Sequence, residues 1–178
     1  MVEEAKVVRG EGGMRRETEG WFVANLRDVP WSESERFGAW TDLEGGVRFG
    51  QLGINVHVIR PGQPNCMYHR ESDQEDFLVL SGECVLIVEG KERRLRAGDF
   101  FHAPPETEHV FVGAGSGPCA ILMVGARTPG ATVFYPVNPV ARKHGAGVAK
   151  ETPDPRVAYA DMPPKRSARP AWLPEPSR

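Results

Sequence analysis

His69, Glu71 and Glu75 fall within one short stretch of the chain, and His109 follows downstream. On an extended strand, residues two apart project from the same face, so His69 and Glu71 share one. Ser72-Asp73-Gln74 has the composition of a turn, after which Glu75 opens an apolar run, Asp76-Phe77-Leu78-Val79-Leu80. A carboxylate at the head of a buried strand needs a cation, because burying an unpaired charge is costly. Two imidazoles and one or two carboxylates aimed at one point can hold one divalent transition metal per chain, Zn, Mn, Fe or Ni. The metal-ligand candidates are therefore His69, Glu71, Glu75 and His109.

Such a ligand set leaves coordination positions open, as catalytic sites do and structural sites do not. Two histidines and one carboxylate suit Fe(II) and dioxygen chemistry, and a second carboxylate from Glu71 tilts the site toward Mn, Zn or Fe. The metal would act as a Lewis acid on a small, chelating, oxygen-rich molecule. Glu71 can ligate directly or hydrogen-bond a ligand histidine. Glu71 and His102 are the candidate proton carriers, His102 because strand parity from His109 can turn it inward. Cys66, three residues before His69, can line the mouth of the site or pack as a small buried thiol.

Short strands position these residues. Leu52 to Arg60 alternates and stops at Pro61-Gly62. Asp76 to Leu80 is expected to pair across Ser81-Gly82 with Cys84 to Val88. Glu89-Gly90-Lys91 turns into Glu92 to Arg96, Ala97-Gly98-Asp99 into Phe100 to Ala103, and His109 to Val112 and Cys119 to Gly125 follow. Short strands with Gly and Pro punctuation, and almost no helical periodicity, indicate an all-β sandwich or barrel. The run Arg93-Arg94-Leu95-Arg96 reads as the solvated face of a strand, its charges discouraging edge pairing.

The stretch from Gly62 to Gly82 resembles the first cupin motif, G-x5-H-x-H-x3,4-E-x6-G, with Glu71 in place of the second histidine and one extra residue between Gly62 and His69. The stretch from Gly98 to Gly113 resembles the second, G-x5-P-x-G-x2-H-x3-N, through Gly98, Pro104 and His109. Glu106 stands where that pattern has Gly, and Gly113 where it has Asn. The resemblance covers roughly residues 48 to 127 and is to the single-domain cupin-2 type. It implies a double-stranded β-helix, or jelly-roll barrel, with a metal site at His69, Glu75 and His109. It leaves the reaction open, because the fold hosts many chemistries. A dioxygenase- or isomerase-like enzyme is one reading, and a metal-loaded barrel that binds or senses a small molecule without turnover is the other. Cupins commonly hide open sheet edges by pairing, so a homodimer is expected.

Around the barrel, residues 1–18 are polar and read as a flexible lead-in. Residues 19–135 hold the barrel, preceded by a cap in which Trp21 to Leu26 forms a strand and a loop covers one open end. Residues 136–178 hold a short helix, capped by Asn138-Pro139 and stopped at Gly145, then an arm. That arm carries seven of the sixteen prolines from Thr152 onward and cannot be a central strand. Val157, Tyr159, Met162, Trp172 and Leu173 give it something to bury, so docking on the barrel or a second subunit is expected.

The chain has 178 residues, enough for one domain and its core. A net charge of −2 argues against binding nucleic acid or anionic membrane through bulk charge. Cys66, Cys84 and Cys119 are odd in number and lack a C-x-x-C, against a zinc finger or a disulfide framework. No segment approaches the ~20 apolar residues of a membrane span, and no signal-type start is present, so a cytoplasmic protein is expected.

Overall fold

The computed structural model describes residues 1–10 and 12–168. In chain order its strands are β1 (Val7–Gly10), β2 (Gly13–Arg16), β3 (Trp31–Ser34), β4 (Gly38–Thr41), β5 (Leu52–Ile59), β6 (Arg70–Glu71), β7 (Glu75–Ser81), β8 (Glu83–Val88), β9 (Lys91–Arg96), β10 (Phe100–Ala103), β11 (His109–Ala114), β12 (Cys119–Ala126), β13 (Val133–Phe134) and β14 (Arg166–Ser167). Two short helices, α1 (Pro139–Lys143) and α2 (Pro155–Ala158), lie between β13 and β14. The larger sheet runs β10-β7-β12-β5-β4-β3-β14 and the smaller β11-β8-β9, with β13-β6 and β1-β2 as two-stranded pieces. This is an antiparallel jelly roll.

Alternation along the strands builds the core between the two sheets. Ile59, Phe77, Val79, Ile121 and Met123 point inward from the larger sheet and meet Cys84, Leu86 and Phe111 from the smaller. The register fixes this face, since Met123 stands opposite both Asn55 and Phe77, and Phe101 opposite Phe77. The outer faces are also covered. Val29 and Trp31 pack over Val56, Val58 and Ala120, and Ala141 and Ala146 pack over Ile87, Val110 and Val112. β11 is thus buried on both sides, which explains its unbroken apolar run after His109.

One expected pairing is wrong. β7 and β8 do not form a hairpin: β7 pairs with β10 and β12, whereas β8 pairs with β9 and β11. The chain changes sheets at Gly82, whose φ is 74° and where any side chain would overlap the carbonyl oxygen of Pro118. The local pairing that does form is β8 with β9, across Glu89-Gly90, both at positive φ. β9 is the edge of the smaller sheet, and of its Arg93-Arg94-Leu95-Arg96 run only Leu95 is partly buried.

The flanks differ from their composition-based reading. Residues 1–18 contain the β1–β2 hairpin, with Arg16 buried over the rings of Phe22 and Phe49 and donating to the carbonyl of Val47. Trp21 makes only a single bridge, to Glu4, and is exposed, so no strand spans Trp21 to Leu26. Instead β3 and β4 extend the larger sheet past β5. The helix cap is as expected: Asn138 accepts from the N–H groups of Val140 and Ala141, with Pro139 in the first turn. The arm docks on its own barrel. Tyr159 packs edge-on against Phe37 and Tyr135, its hydroxyl accepts from Met67 N–H, and Met162 joins the same cluster. β14 then pairs with β3 at the sheet edge. Trp172 and Leu173 lie outside the described residues.

Candidate metal centre

His69 sits just before β6 and is bridged to His109, the first residue of β11; each backbone N–H donates to the other residue's carbonyl. Glu75 is the first residue of β7, on the inward face shared with Phe77 and Val79. One ligand atom from each of His69, Glu75 and His109 lies within 4.8 Å of the others. Glu75 Oε2 is 3.4 Å from His109 Nε2 and 4.0 Å from His69 Nε2.

The ring tautomers follow from the backbone. His69 Nδ1–H donates to the carbonyl of Met67 at 2.8 Å, and His109 Nδ1–H donates to that of Thr107 at 3.0 Å. Each Nε2 therefore carries a lone pair, and both face Glu75. A hydrogen bond on the far nitrogen is the usual device for orienting a metal-bound imidazole. Phe77, Phe101 and Phe111 pack around the His109 ring.

The electrostatics call for a cation. Burial, and then the neighbouring carboxylate of Glu71, push the Glu75 carboxyl up to about 8. Burial, and then His69, push the His109 imidazole down to about 3, and burial lowers His69. Neither histidine is disposed to supply a positive charge, and among the described residues no Lys or Arg pairs with Glu75. Two fixed Nε2 lone pairs and a buried carboxyl whose ionised form has no cationic side-chain partner among the described residues fit a divalent metal.

Glu71 stands beside this trio. Its Oε1 is 3.9 Å from His69 Nε2, and burial, then Asp73, raise its carboxyl. His102 is not in the site. Ala103 pairs with Glu75 and His102 with Asp76, so His102 projects from the opposite face and Nδ1 meets Asp76 Oδ1 at 2.7 Å near solvent. Counting parity back from His109 fails because the loop Pro104 to Glu108 separates β10 from β11. Glu106 in that loop has φ 68°, which accounts for the glycine of the family pattern at this position. Glu106 and Glu108 both pair with Arg70. Gly113 is needed where the pattern has Asn, because a side chain there would overlap the carbonyl of Arg60.

The trio opens into a cavity of about 820 Å³ between the sheets. Glu71, Asn55, His57 and Cys66 line it with Arg48 and Arg127. His57 donates to the carbonyl of Phe37 and is pushed down to about 4 by burial. Cys66 Sγ is 3.6 Å from His69 Nδ1, the nitrogen turned away from Glu75, and burial pushes its thiol up. It is a cavity wall rather than a ligand. The two arginines escaped the sequence reading because they lie at or beyond the limits of the motifs. Their sequence signal, single arginines after a Gly-Gly turn and at the end of β12, is weak.

Residues 55–125 match the family model described as Cupin domain. Among solved structures, a sugar phosphate isomerase of the cupin superfamily from Silicibacter pomeroyi is 25% identical, over 63% of this chain and 80% of that one, with a TM-score of 0.55. A polyketide cyclase from Streptomyces resistomycificus is 17% identical over 62% of this chain and 83% of its own, with a TM-score of 0.53, a likeness of fold alone. A structure from Acidithiobacillus ferrooxidans is 28% identical, but this chain covers only 55% of its length, at a TM-score of 0.45. No curated protein matches the sequence.

Proposed function

Residues 55–125 are a cupin domain of the cupin-2 type, and from that premise we propose that the chain is a metal-dependent enzyme, of isomerase type, acting on a small oxygen-rich molecule. The observation that carries this is the pair of Nε2 lone pairs, held by Met67 and Thr107, that converge on buried Glu75. A divalent cation held by His69, Glu75 and His109 would polarise a carbonyl or hydroxyl oxygen of the substrate. The likeness to the sugar phosphate isomerase favours isomerisation over dioxygen chemistry.

In that reaction Glu71 is the proton carrier. It lines the cavity beside His69, and its raised carboxyl brings it nearer the working pH of a general base. It takes the proton from a carbon bearing a hydroxyl next to a carbonyl and returns it to the former carbonyl carbon, while the hydroxyl proton passes to the former carbonyl oxygen, so that hydroxyl and carbonyl exchange places. His102, on the outer face, takes no part. Phe77 lines the same cavity beside Glu75.

The test is metal analysis of the purified protein joined to proton exchange. Incubation with aldose and ketose phosphates in D2O is expected to wash out the proton next to the carbonyl, and Glu71→Gln to stop this while metal stays bound. Metal near one per chain without exchange in any such compound would favour the non-catalytic binding barrel. Neither metal nor exchange would defeat both readings. The same reading expects a homodimer, supported by exposed Phe100 and Leu80 on the outer faces of β10 and β7; a monomeric mass in solution would sink that part.

A further inference from the structure

The cavity has a second charged wall, built from residues before and after the cupin domain. Arg127, just past β12, makes a two-pronged pair with Glu44: Nη1 to Oε2 at 2.9 Å and Nη2 to Oε1 at 2.5 Å. Its Nη1 also donates to the carbonyl of Phe49 at 2.7 Å, and Phe49 N–H donates to Glu44 Oε2 at 3.1 Å. The guanidinium lies against Gly53, where a side chain would crowd it. The loop from Asp42 to Gly50 is thereby stapled to the barrel rim.

Arg48 rides on that loop and lines the cavity that holds the metal trio. Both oxygens of Glu44, the nearby carboxylate, are already engaged by Arg127 and Phe49. Arg48 is left, among the described residues, without a hydrogen bond or ion pair. Asn55, on the inward face of β5, also lines the cavity, and its Oδ1 is sealed from solvent with no hydrogen-bond partner among the described residues. One wall thus concentrates Glu71, Asp73 and Glu75 beside the two histidines, and the rim presents the Arg48 guanidinium, which acts on Glu44 through its field and keeps its N–H donors unengaged among the described residues.

We propose that Arg48 is a specificity residue that captures the anionic group of the substrate, a phosphate or carboxylate carried on a polyhydroxylated chain whose other end reaches the metal wall. A guanidinium offers paired donors matched to either anion. Arg127 and Glu44 position the loop, and Asn55 offers its amide to a hydroxyl between the two ends. This rests on the enzymatic reading for the direction in which the substrate lies, but not for the anion contact itself.

Calorimetric titration of the protein with fructose 6-phosphate, gluconate and neutral fructose, with and without Mn(II), tests it. The two anions are expected to bind at least tenfold more tightly than fructose, and the stronger of the two identifies the head group. Arg48→Ala is expected to erase this preference, and Arg48→Lys to keep part of it, with Mn stoichiometry and melting temperature unchanged in both. No preference for the anions, whether all three bind alike or none binds, overturns the proposal, as does a preference that survives Arg48→Ala. An Arg48-dependent preference in protein that takes up no metal would sink the metal-enzyme reading and leave this one standing. Metal near one per chain with no charge preference would do the reverse.

Discussion

His109 Nε2 lies 3.4 Å from Glu75 Oε2, although the two residues open strands of different sheets. A cation between them would tie the layers together at the cavity end. Saturating metal at one hundred times Kd is expected to stabilise the fold by about 2.7 kcal/mol. His69→Ala should abolish that gain and also cost about 1 kcal/mol, because it removes the hydrogen bond to the Met67 carbonyl. His109→Ala should abolish it too and also lose ~2 kcal/mol or more, because it empties space among Phe77, Phe101 and Phe111. Denaturant titrations with and without Mn(II) or Zn(II) check both. An equal gain in either variant would count against the ligand assignment.

The pH dependence of metal-free protein has a defined sign. Glu75 in the fold titrates near 8, above its ordinary value of 4.5, so the fold binds its proton more tightly than the unfolded chain does. Its contribution is fully present below about 4.5 and is lost as pH rises through about 8. Glu75→Gln is expected to flatten that decline, leaving the variant more stable than the parent at pH 8 in EDTA yet unable to bind metal. Urea midpoints at pH 5 and pH 8 measure it. A parent whose midpoint does not fall across this range would contradict the site's electrostatics.

His57 carries the opposite sign. Burial lowers it to about 4 from 6.5, so its stabilising contribution is present above 6.5 and lost as pH falls through about 4. Acid titration of metal-free His57→Gln against the parent should show a shallower loss of stability below pH 6.5 in the variant. Parallel curves would show that another group controls the acid limb.

His102→Ala should leave metal stoichiometry intact. The side chain is half exposed on the outer face and, among the described residues, pairs with Asp76 alone, an arrangement worth at most ~1 kcal/mol. Loss of metal in this variant, determined by elemental analysis, would mean that the register of β10 on β7 is wrong.

Gly82→Ala tests the crossover between sheets. With φ at 74° and the Pro118 carbonyl in the way, the substitution should cost ~2 kcal/mol or more, at the upper end of ordinary point mutations. An unchanged denaturation midpoint would rule out this geometry.

The convergence of His69, Glu75 and His109 was legible because its evidence is local. His69 and Glu75 sit at fixed spacing around a turn, and His109 heads a strand whose apolar run is explained by burial on both sides. The true partners of β7 and β8 were not legible, because adjacency in sequence favours a hairpin and nothing at Ser81-Gly82 announces a change of sheet. His102 was misplaced because residues Pro104 to Glu108 interrupt the count. The β1–β2 hairpin was invisible to composition, since what it buries includes Gly13 and the aliphatic stem and guanidinium of Arg16 rather than an apolar stripe. Arg48 was passed over because its importance depends on what Glu44 is doing, which spacing cannot reveal.

The pairing of Arg166–Ser167 with β3 means that the last rung of the larger sheet is supplied by a segment far downstream of the barrel. Trimming the chain before Arg166 would expose the backbone hydrogen-bonding groups of Glu33 and the carbonyl of Trp31, which accepts from Ala168 N–H, an invitation to strand addition between molecules. Shortened versions made for crystallisation are therefore expected to aggregate more readily than the full chain. Affinity handles are better placed at the amino terminus.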